Sequence, residues 1–471
     1  MRYCDLCVIG SGPGGQKAAI QAAKLGKDVV VIEKMEFVGG VAINTGTIPS
    51  KALREAVLAI TSAQVRAVGV SESFTGSPDK LQRLMSATQR VIRAEIDVVR
   101  SHFATNDIHV IQGVGSFVDD KTVQVDGVRG IERIHAEKFL VAVGTSPARP
   151  ASVPFDRTTV ITSDEILHLP TLPRSMIIVG GGVIGTEYAS MLTPLGVKVT
   201  LIEGRPRLLD FVDAEIIEAL QYNMRQSGVV LRMGEKVVTI KRIEAPAGSR
   251  AESGSLIEAV LESGKTLRAE CLMYCIGRQG ATDLLSLASA GLKADERGRL
   301  KVNEFYQTEV PHIYACGDVI GFPALASTSM EQGRLAACHM FSEPREAVQD
   351  LLPYGIYAIP EISMVGWTEE RLTQEGIPYE SGIAQYREIA RGQLLDDEIG
   401  MLKLLIHQDS HAVLGVHVIG TGATELVHIG QAVMAFKGTA EYFVNAVFNY
   451  PTLAECYKVA AYNALNKLKN V

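Results

Sequence analysis

The apolar run Leu6-Cys7-Val8-Ile9 leads into Gly10-Ser11-Gly12-Pro13-Gly14-Gly15 and then into an Ala-rich stretch, Gln16 to Leu25, that reads as a helix. Strand, glycine turn and helix in that order restrict the fold sharply. The first two glycines let the backbone turn and approach a pyrophosphate at the helix N-terminus. The next strand, Asp28 to Ile32, ends in Glu33, an acid placed to hydrogen-bond a ribose. The pattern then repeats: Ser175 to Val179, Gly180-Gly181-Gly182-Val183-Ile184-Gly185, a helix through Leu195, and Lys198 to Ile202 ending in Glu203. In both copies the acid follows the first glycine by 23 positions, which one chance fingerprint would not reproduce. Two such units predict two dinucleotides, one held and one exchanging.

A third landmark assigns them. Tyr314-Ala315-Cys316-Gly317-Asp318-Val319 ends an apolar strand in an acid, and a helical stretch, Ser327 to Met340, follows. A strand-end Asp accepts hydrogen bonds from sugar-alcohol hydroxyls, as on the ribityl chain of FAD, and a helix N-terminus favours a partly negative oxygen.

Composition removes other classes. A net charge of −7 without a Lys/Arg-rich run gives no basic footprint for nucleic acid. No apolar stretch approaches the roughly 18 to 20 residues that span a bilayer, and no signal pattern opens the chain, so a cytoplasmic protein is expected. Seven dispersed cysteines predict reduced, buried thiols. Cys4 and Cys7 have redox-like spacing but lie in the first strand, where side chains three apart face opposite sides. His407, His417 and His428 lack metal-ligand spacing, so no metal is expected.

With these landmarks, nearly the whole chain resembles the pyridine nucleotide-disulfide oxidoreductase family. Ala142-Val143-Gly144-Thr145 matches its second FAD marker, and Gly39 to Lys51 matches the stretch that carries its redox cysteines. The resemblance implies an α/β chain with two Rossmann-like domains, for FAD and NAD(P), and a C-terminal α+β dimerisation domain. The implied division is 1–149 FAD domain, 150–277 NAD(P) domain, 278–348 return to the FAD domain and 349–471 dimerisation domain. It also implies FAD contacts from Gly10, Gly12, Gly15, Glu33, Lys34, Gly40, Thr45, Lys51, Gly144, Thr145, Gly317, Asp318 and Ala326. NAD(P) contacts are implied at Gly180, Gly182, Gly185, Glu187, Glu203, Arg205, Gly277 and Arg278.

The chain departs from the family where it matters chemically. Ala42 and Thr47 stand at the two cysteine positions, and Tyr450 stands where disulfide reductases carry a His paired with the acid at Glu455. Without a dithiol there is no thiol to deprotonate, so the three losses belong together. Thr45 to Lys51, Gly277 to Asp283 and Phe448 to Glu455 are similar to a branch of the family that passes hydride from NADPH through one non-covalent FAD per subunit to NAD, in a reversible ping-pong cycle. That resemblance implies Lys51 beside the flavin, paired with Glu187, and a homodimer or larger homo-oligomer that presents Tyr450 and Glu455 to the partner's flavin. Glu203 suits a ribose 2′-hydroxyl and Arg205 and Arg207 a 2′-phosphate; pairing of Glu203 with Arg205 in an enzyme restricted to NAD(H) is the alternative. A reductase of quinones or other small oxidants, and a non-catalytic nucleotide-binding subunit, are the rival functions. Residues 69–78 read as a glycine-rich loop before a helix from Asp79 with an apolar stripe at Leu81, Leu84, Met85, Val91, Ile92, Ile96 and Val99, and 245–255 as an exposed hairpin loop; further helices are read at Lys51 to Ile60 and Thr452 to Leu468.

Overall fold

The computed structural model describes residues 1–68, 73–128, 130–245, 254–343 and 351–469. Its first sheet has seven strands, five of them parallel in the order His109–Gln112, Val29–Glu33, Arg2–Ile9, Gly130–Val141 and Ile313–Ala315. Val114–Asp119 and Thr122–Gly127 extend it as an antiparallel meander. Strands covered on both faces need uninterrupted apolar runs, and Val29–Glu33 is buried throughout. The register places Ile9 opposite both Ile32 and Val141, and Val141 opposite Ala315. Gly10, Glu33, Ala142 and Cys316 therefore emerge side by side at the carboxyl edge, where open parallel sheets bind ligands.

The second sheet repeats this plan with five parallel strands: Val230–Met233, Lys198–Glu203, Ser175–Val179, Cys271–Tyr274 and Val160–Ile161. Val179 pairs with Ile202 and with Tyr274, so Gly180, Glu203 and Cys275 share its carboxyl edge. A two-stranded ribbon, Thr145–Pro147 with Arg278–Gly280, joins the two units. The C-terminal sheet is wholly antiparallel, in the order Tyr354–Ile356, Ile362–Gly366, Val413–Ile419, Met401–His407 and Tyr379–Gln385. Tyr457 links two of its helices by donating to Leu426 O at 2.8 Å and accepting from Gly430 N at 3.0 Å. One apolar cluster runs through all three units, bringing Leu53 and Leu84 together with Met191, Leu195, Ile356 and Met364. Among the described residues no helix is long and apolar enough to cross a membrane.

Several local expectations need correction. The first helix is Pro13–Lys24, three residues earlier than the Ala-rich run suggested, because Pro is pre-organised for the first helical position. The helix carrying Lys51 is Thr47–Val68, so Lys51 lies in its second turn. The second nucleotide helix stops at Leu192 and yields to a single tight turn, Thr193–Leu195, since Pro194 has no N–H to continue it. The last helix starts at Glu455, not Thr452. In Pro78–Thr105 the apolar stripe holds at Leu81, Leu84, Ile92, Ile96 and Val99, but Val91 is 42% exposed, one position off the stripe. Cys4 and Cys7 pack into the same cluster, not on opposite faces. The strand is irregular at Asp5, where Asp5 N and Leu6 N both donate to Asp28 O. Residues 69–72 and 246–253, parts of the two expected loops, lie outside the described residues.

Candidate functional site

At the first carboxyl edge, sterics explain each glycine separately. Gly10 has φ +106°, and a Cβ there would lie 2.4 Å from Ala142 O; a Cβ on Gly15 would lie 2.0 Å from Gly10 O. Gly12 faces open space, with nothing within 4 Å of its Cβ position, so the turn leaves room for a ligand beside the N-terminus of Pro13–Lys24. Glu33 fixes the turn from the next strand. Its Oε2 accepts from Ser11 N at 3.0 Å and from Ser11 Oγ, and its Oε1 from Met35 N at 2.8 Å.

From Glu33 and Lys34 an elongated cleft runs past Gly10 and Gly12, along Gly40, Thr45, Gly144 and Thr145, to Gly317, Asp318 and Ala326. Its far end is ordered by a relay: Arg278 Nε donates to Thr145 Oγ1 at 2.8 Å, and that hydroxyl donates to Asp318 Oδ2 at 3.2 Å. An extended cleft with a ribose acid at one end, a glycine turn in the middle and a strand-end Asp at the other fits FAD. Ala42 and Thr47 line it, so neither cysteine position offers a thiol. Gly15 and Lys51 are not on its wall: Gly15 is buried against the strand, and Lys51 turns to Glu187.

The Lys51 ammonium donates to both Glu187 oxygens, at 3.0 and 2.9 Å, and to Ser50 Oγ at 3.2 Å. Glu187 is only 3% exposed and also accepts from Tyr357 N at 2.9 Å, while the Tyr357 ring lies 4.8 Å beneath the ammonium. Helix Thr47–Val68, helix Val183–Leu192 and the C-terminal unit therefore meet at one ion pair. A carboxylate so buried needs this compensation, because leaving it unpaired costs several kcal/mol.

The second turn copies the first. Cβ atoms would lie 3.0 Å from Cys275 O at Gly180 and 1.9 Å from Gly180 O at Gly185, whereas Gly182 is open. Glu203 Oε2 accepts from Gly181 N at 2.7 Å, as Glu33 does from Ser11 N, and Oε1 from Arg205 N at 2.9 Å. The Arg205 guanidinium also grips Glu203, with Nε to Oε1 at 3.0 Å and Nη2 to Oε2 at 3.1 Å. Burial opposes the charge on Glu203, but hydrogen bonds from Arg205 and Gly181 outweigh it and hold the carboxyl below its ordinary value. The pairing raised in sequence as the NAD-restricted alternative is thus present, with Arg205 still 40% exposed. Gly277 supplies a positive-φ turn just before Arg278, whose guanidinium is committed to Thr145.

Tyr450 and Glu455 are not brought to the cleft within one chain. Tyr450 is 74% exposed, and Glu455 buries Oε2 without a hydrogen-bond partner among the described residues. Three residues escaped the sequence reading. Tyr357 carried no signal. Asp164 lines the cleft, with its carboxyl pushed up by burial against the opposing pull of Arg278. Lys403 did carry one: an ammonium inside the apolar strand Met401–His407 announces buried acids, and Asp213, Glu215 and Glu369 surround it.

A duplicated nucleotide turn, a cleft shaped for FAD and a half-buried Lys–Glu pair between them define a flavin- and nicotinamide-dependent oxidoreductase. The chain belongs to the pyridine nucleotide-disulphide oxidoreductase family: residues 4–333 match that family, and residues 352–461 match its dimerisation domain. The soluble pyridine nucleotide transhydrogenase of Mycobacterium tuberculosis is 51% identical over 100% of this chain and 98% of its own length. That of Chromohalobacter salexigens is 44% identical over 98% of each. Among solved structures, the HOCl-induced flavoprotein disulfide reductase RclA from Escherichia coli superposes with a TM-score of 0.85, covering 97% of this chain and 99% of that one at 26% identity.

Proposed function

We propose that this protein is an FAD-dependent transhydrogenase that moves hydride reversibly between NADPH and NAD. The observation that carries the reading is the cleft itself, where the family architecture persists but Ala42 and Thr47 leave no dithiol to receive electrons. Gly10, Gly12, Glu33, Thr145 and Asp318 would hold one non-covalent FAD per subunit, which would supply a two-electron carrier for hydride between two nicotinamides. The chain's own work is placement and charge. Glu33 and Glu203 each lock a glycine turn and present an acid to a ribose. Lys51, held by Glu187 and Tyr357, keeps a fixed cation near the junction of the two nucleotide units, where it favours a reduced, anionic ring system. Hydride transfer itself needs no acid or base, consistent with Tyr450 in place of a histidine.

The division into an FAD domain at 1–149 and 278–348, an NAD(P) domain at 150–277 and a dimerisation domain at 349–471 belongs to this reading, as does a homodimer. In it, the exposed Tyr450 and the unpartnered Glu455 oxygen of one copy face the cleft of the other. The test is anaerobic turnover with NADPH and a spectrally distinct NAD analogue, with menadione as a parallel acceptor. Rapid analogue reduction with parallel-line kinetics is expected. A flavin that NADPH reduces but that passes electrons only to menadione refutes the proposal in favour of a quinone reductase.

A further inference from the structure

The segment 204–213 joins the acid-ended strand Lys198–Glu203 to the next helix, Ala214–Gln226. It lies against the nucleotide turn, for a Cβ on Gly181 would stand 2.4 Å from Leu208 Cδ2. It carries both arginines suited to a 2′-phosphate, and each is already committed to carboxylate. Arg205 bonds Glu203 on one side and, through Nη1, Asp210 Oδ1 at 2.6 Å on the other. Arg207 Nη1 donates to Glu370 Oε1 at 3.0 Å, and its Nη2 to Asp210 O at 3.3 Å. Glu370 comes from the C-terminal unit and also accepts from Ala214 N at 3.1 Å, so it fastens the segment from across the domain boundary.

A 2′-phosphate draws on the same guanidinium donors as these carboxylates, whereas a 2′-hydroxyl addresses Glu203 and leaves them undisturbed. We infer that Asp210 and Glu370 are specificity-determining residues: as counter-carboxylates to Arg205 and Arg207 they weaken the binding of 2′-phosphorylated nucleotides and leave NAD binding unchanged. An enzyme that loads NADPH and NAD alternately into one groove must release the first, and a competing carboxylate on each arginine prevents the phosphate from holding the site. The inference rests on the reading of the protein as a user of both nucleotides.

The experiment titrates the FAD-loaded full chain with 2′,5′-ADP and, separately, with 5′-AMP by calorimetry. Asp210 and Glu370 are half-exposed partners, so their competition is modest: Asp210→Asn and Glu370→Gln are each expected to tighten 2′,5′-ADP about threefold with 5′-AMP unchanged. Glutamine keeps an acceptor for Ala214 N, so the segment stays fastened. In an Arg207→Gln background the gain from Glu370→Gln should vanish. An unchanged ratio of the two affinities, a parallel shift of both, or a gain that persists without Arg207 overturns the inference. Wild-type protein that binds 5′-AMP but not 2′,5′-ADP removes instead the dual-nucleotide reading beneath it.

Discussion

Replacing Lys403 by methionine should destabilise the protein by about 3 to 5 kcal/mol at neutral pH, the range for removing one partner of a buried charge network. The Lys403 side chain is fully buried, and its three donors are all used, on Asp213, Glu215 and Glu369, each at 2.9 Å. Asp213 is equally buried, and without the ammonium it keeps only Glu215 N at 3.2 Å and Glu369 N at 3.4 Å. His417 offers no substitute charge. Burial holds its pKa low although Asp213 pulls the other way, and its Nε2 bonds Trp367 O at 2.8 Å while Nδ1 has no partner.

The pH dependence follows from two opposite shifts. Lys403 is raised in the folded state despite burial, through Asp213 and its neighbours, so its contribution is fully present below the unfolded lysine value of about 10.4 and fades above it. Asp213 is depressed despite burial; a neutral His417 cannot hold it down, so the Lys403 ammonium is the cause, and the contribution is present above about 3.9 and fades as acid protonates the carboxylate. In Lys403→Met the stranded carboxylate can relieve its cost by taking a proton, so the penalty should shrink toward pH 4 to 5. Asp213→Asn in the methionine background should recover part of it. Urea unfolding read by fluorescence suits the question, because the chain's one tryptophan, Trp367, is the acceptor of His417 beside this network. A penalty below about 1 kcal/mol, or one that does not vary between pH 5 and 8, would refute the argument.

Two further outcomes follow from backbone packing and burial. Gly185→Ala drives a Cβ to 1.9 Å from Gly180 O and should abolish the folded second unit, whereas Gly182→Ala meets open space. The latter should melt like the wild type with full FAD content yet bind NADH and NADPH at least tenfold more weakly, as nucleotide titrations would show. Burial pushes Cys4, Cys271, Cys275, Cys316 and Cys456 up to about 12 and raises Cys7 as well, and Cys338 is only 3% exposed, so the native protein should be inert to a thiol-specific disulfide reagent at pH 8 and release seven thiols on unfolding. A native thiol reacting at the rate of free cysteine would contradict this.

What could be read from sequence was what backbone sterics impose. Gly10, Gly15, Gly180 and Gly185 are legible because no other residue fits, and Glu33 and Glu203 because strand ends at fixed spacing reach the turns. Helix starts were less legible, since an Ala-rich run marks a helix interior while Pro13 and Thr47 mark its entry. The partners of Lys403 were invisible for a different reason. Asp213 lies 190 positions away and resembles any other N-cap, and only the packed fold brings it within 2.9 Å of the ammonium.

Glu187 shows the same limit in part. Its pairing with Lys51 of the first nucleotide unit was implied by the family resemblance and is present, but its second donor, Tyr357 N at the entry to the C-terminal unit, was not legible in sequence. One of these donors is a charge and the other a main-chain group that only a proline would remove. Losing Lys51 therefore leaves this joint with a hydrogen bond but no counter-charge, while losing Glu187 removes both of its polar links and leaves the shared apolar cluster to hold the units. A dithiol pathway would tolerate some slack here, because a flexible thiol can follow its acceptor. Direct transfer between two nicotinamides through one carrier needs the donor and acceptor atoms within about 3 to 3.5 Å at each pass, and that demand favours a joint in which every donor is fixed.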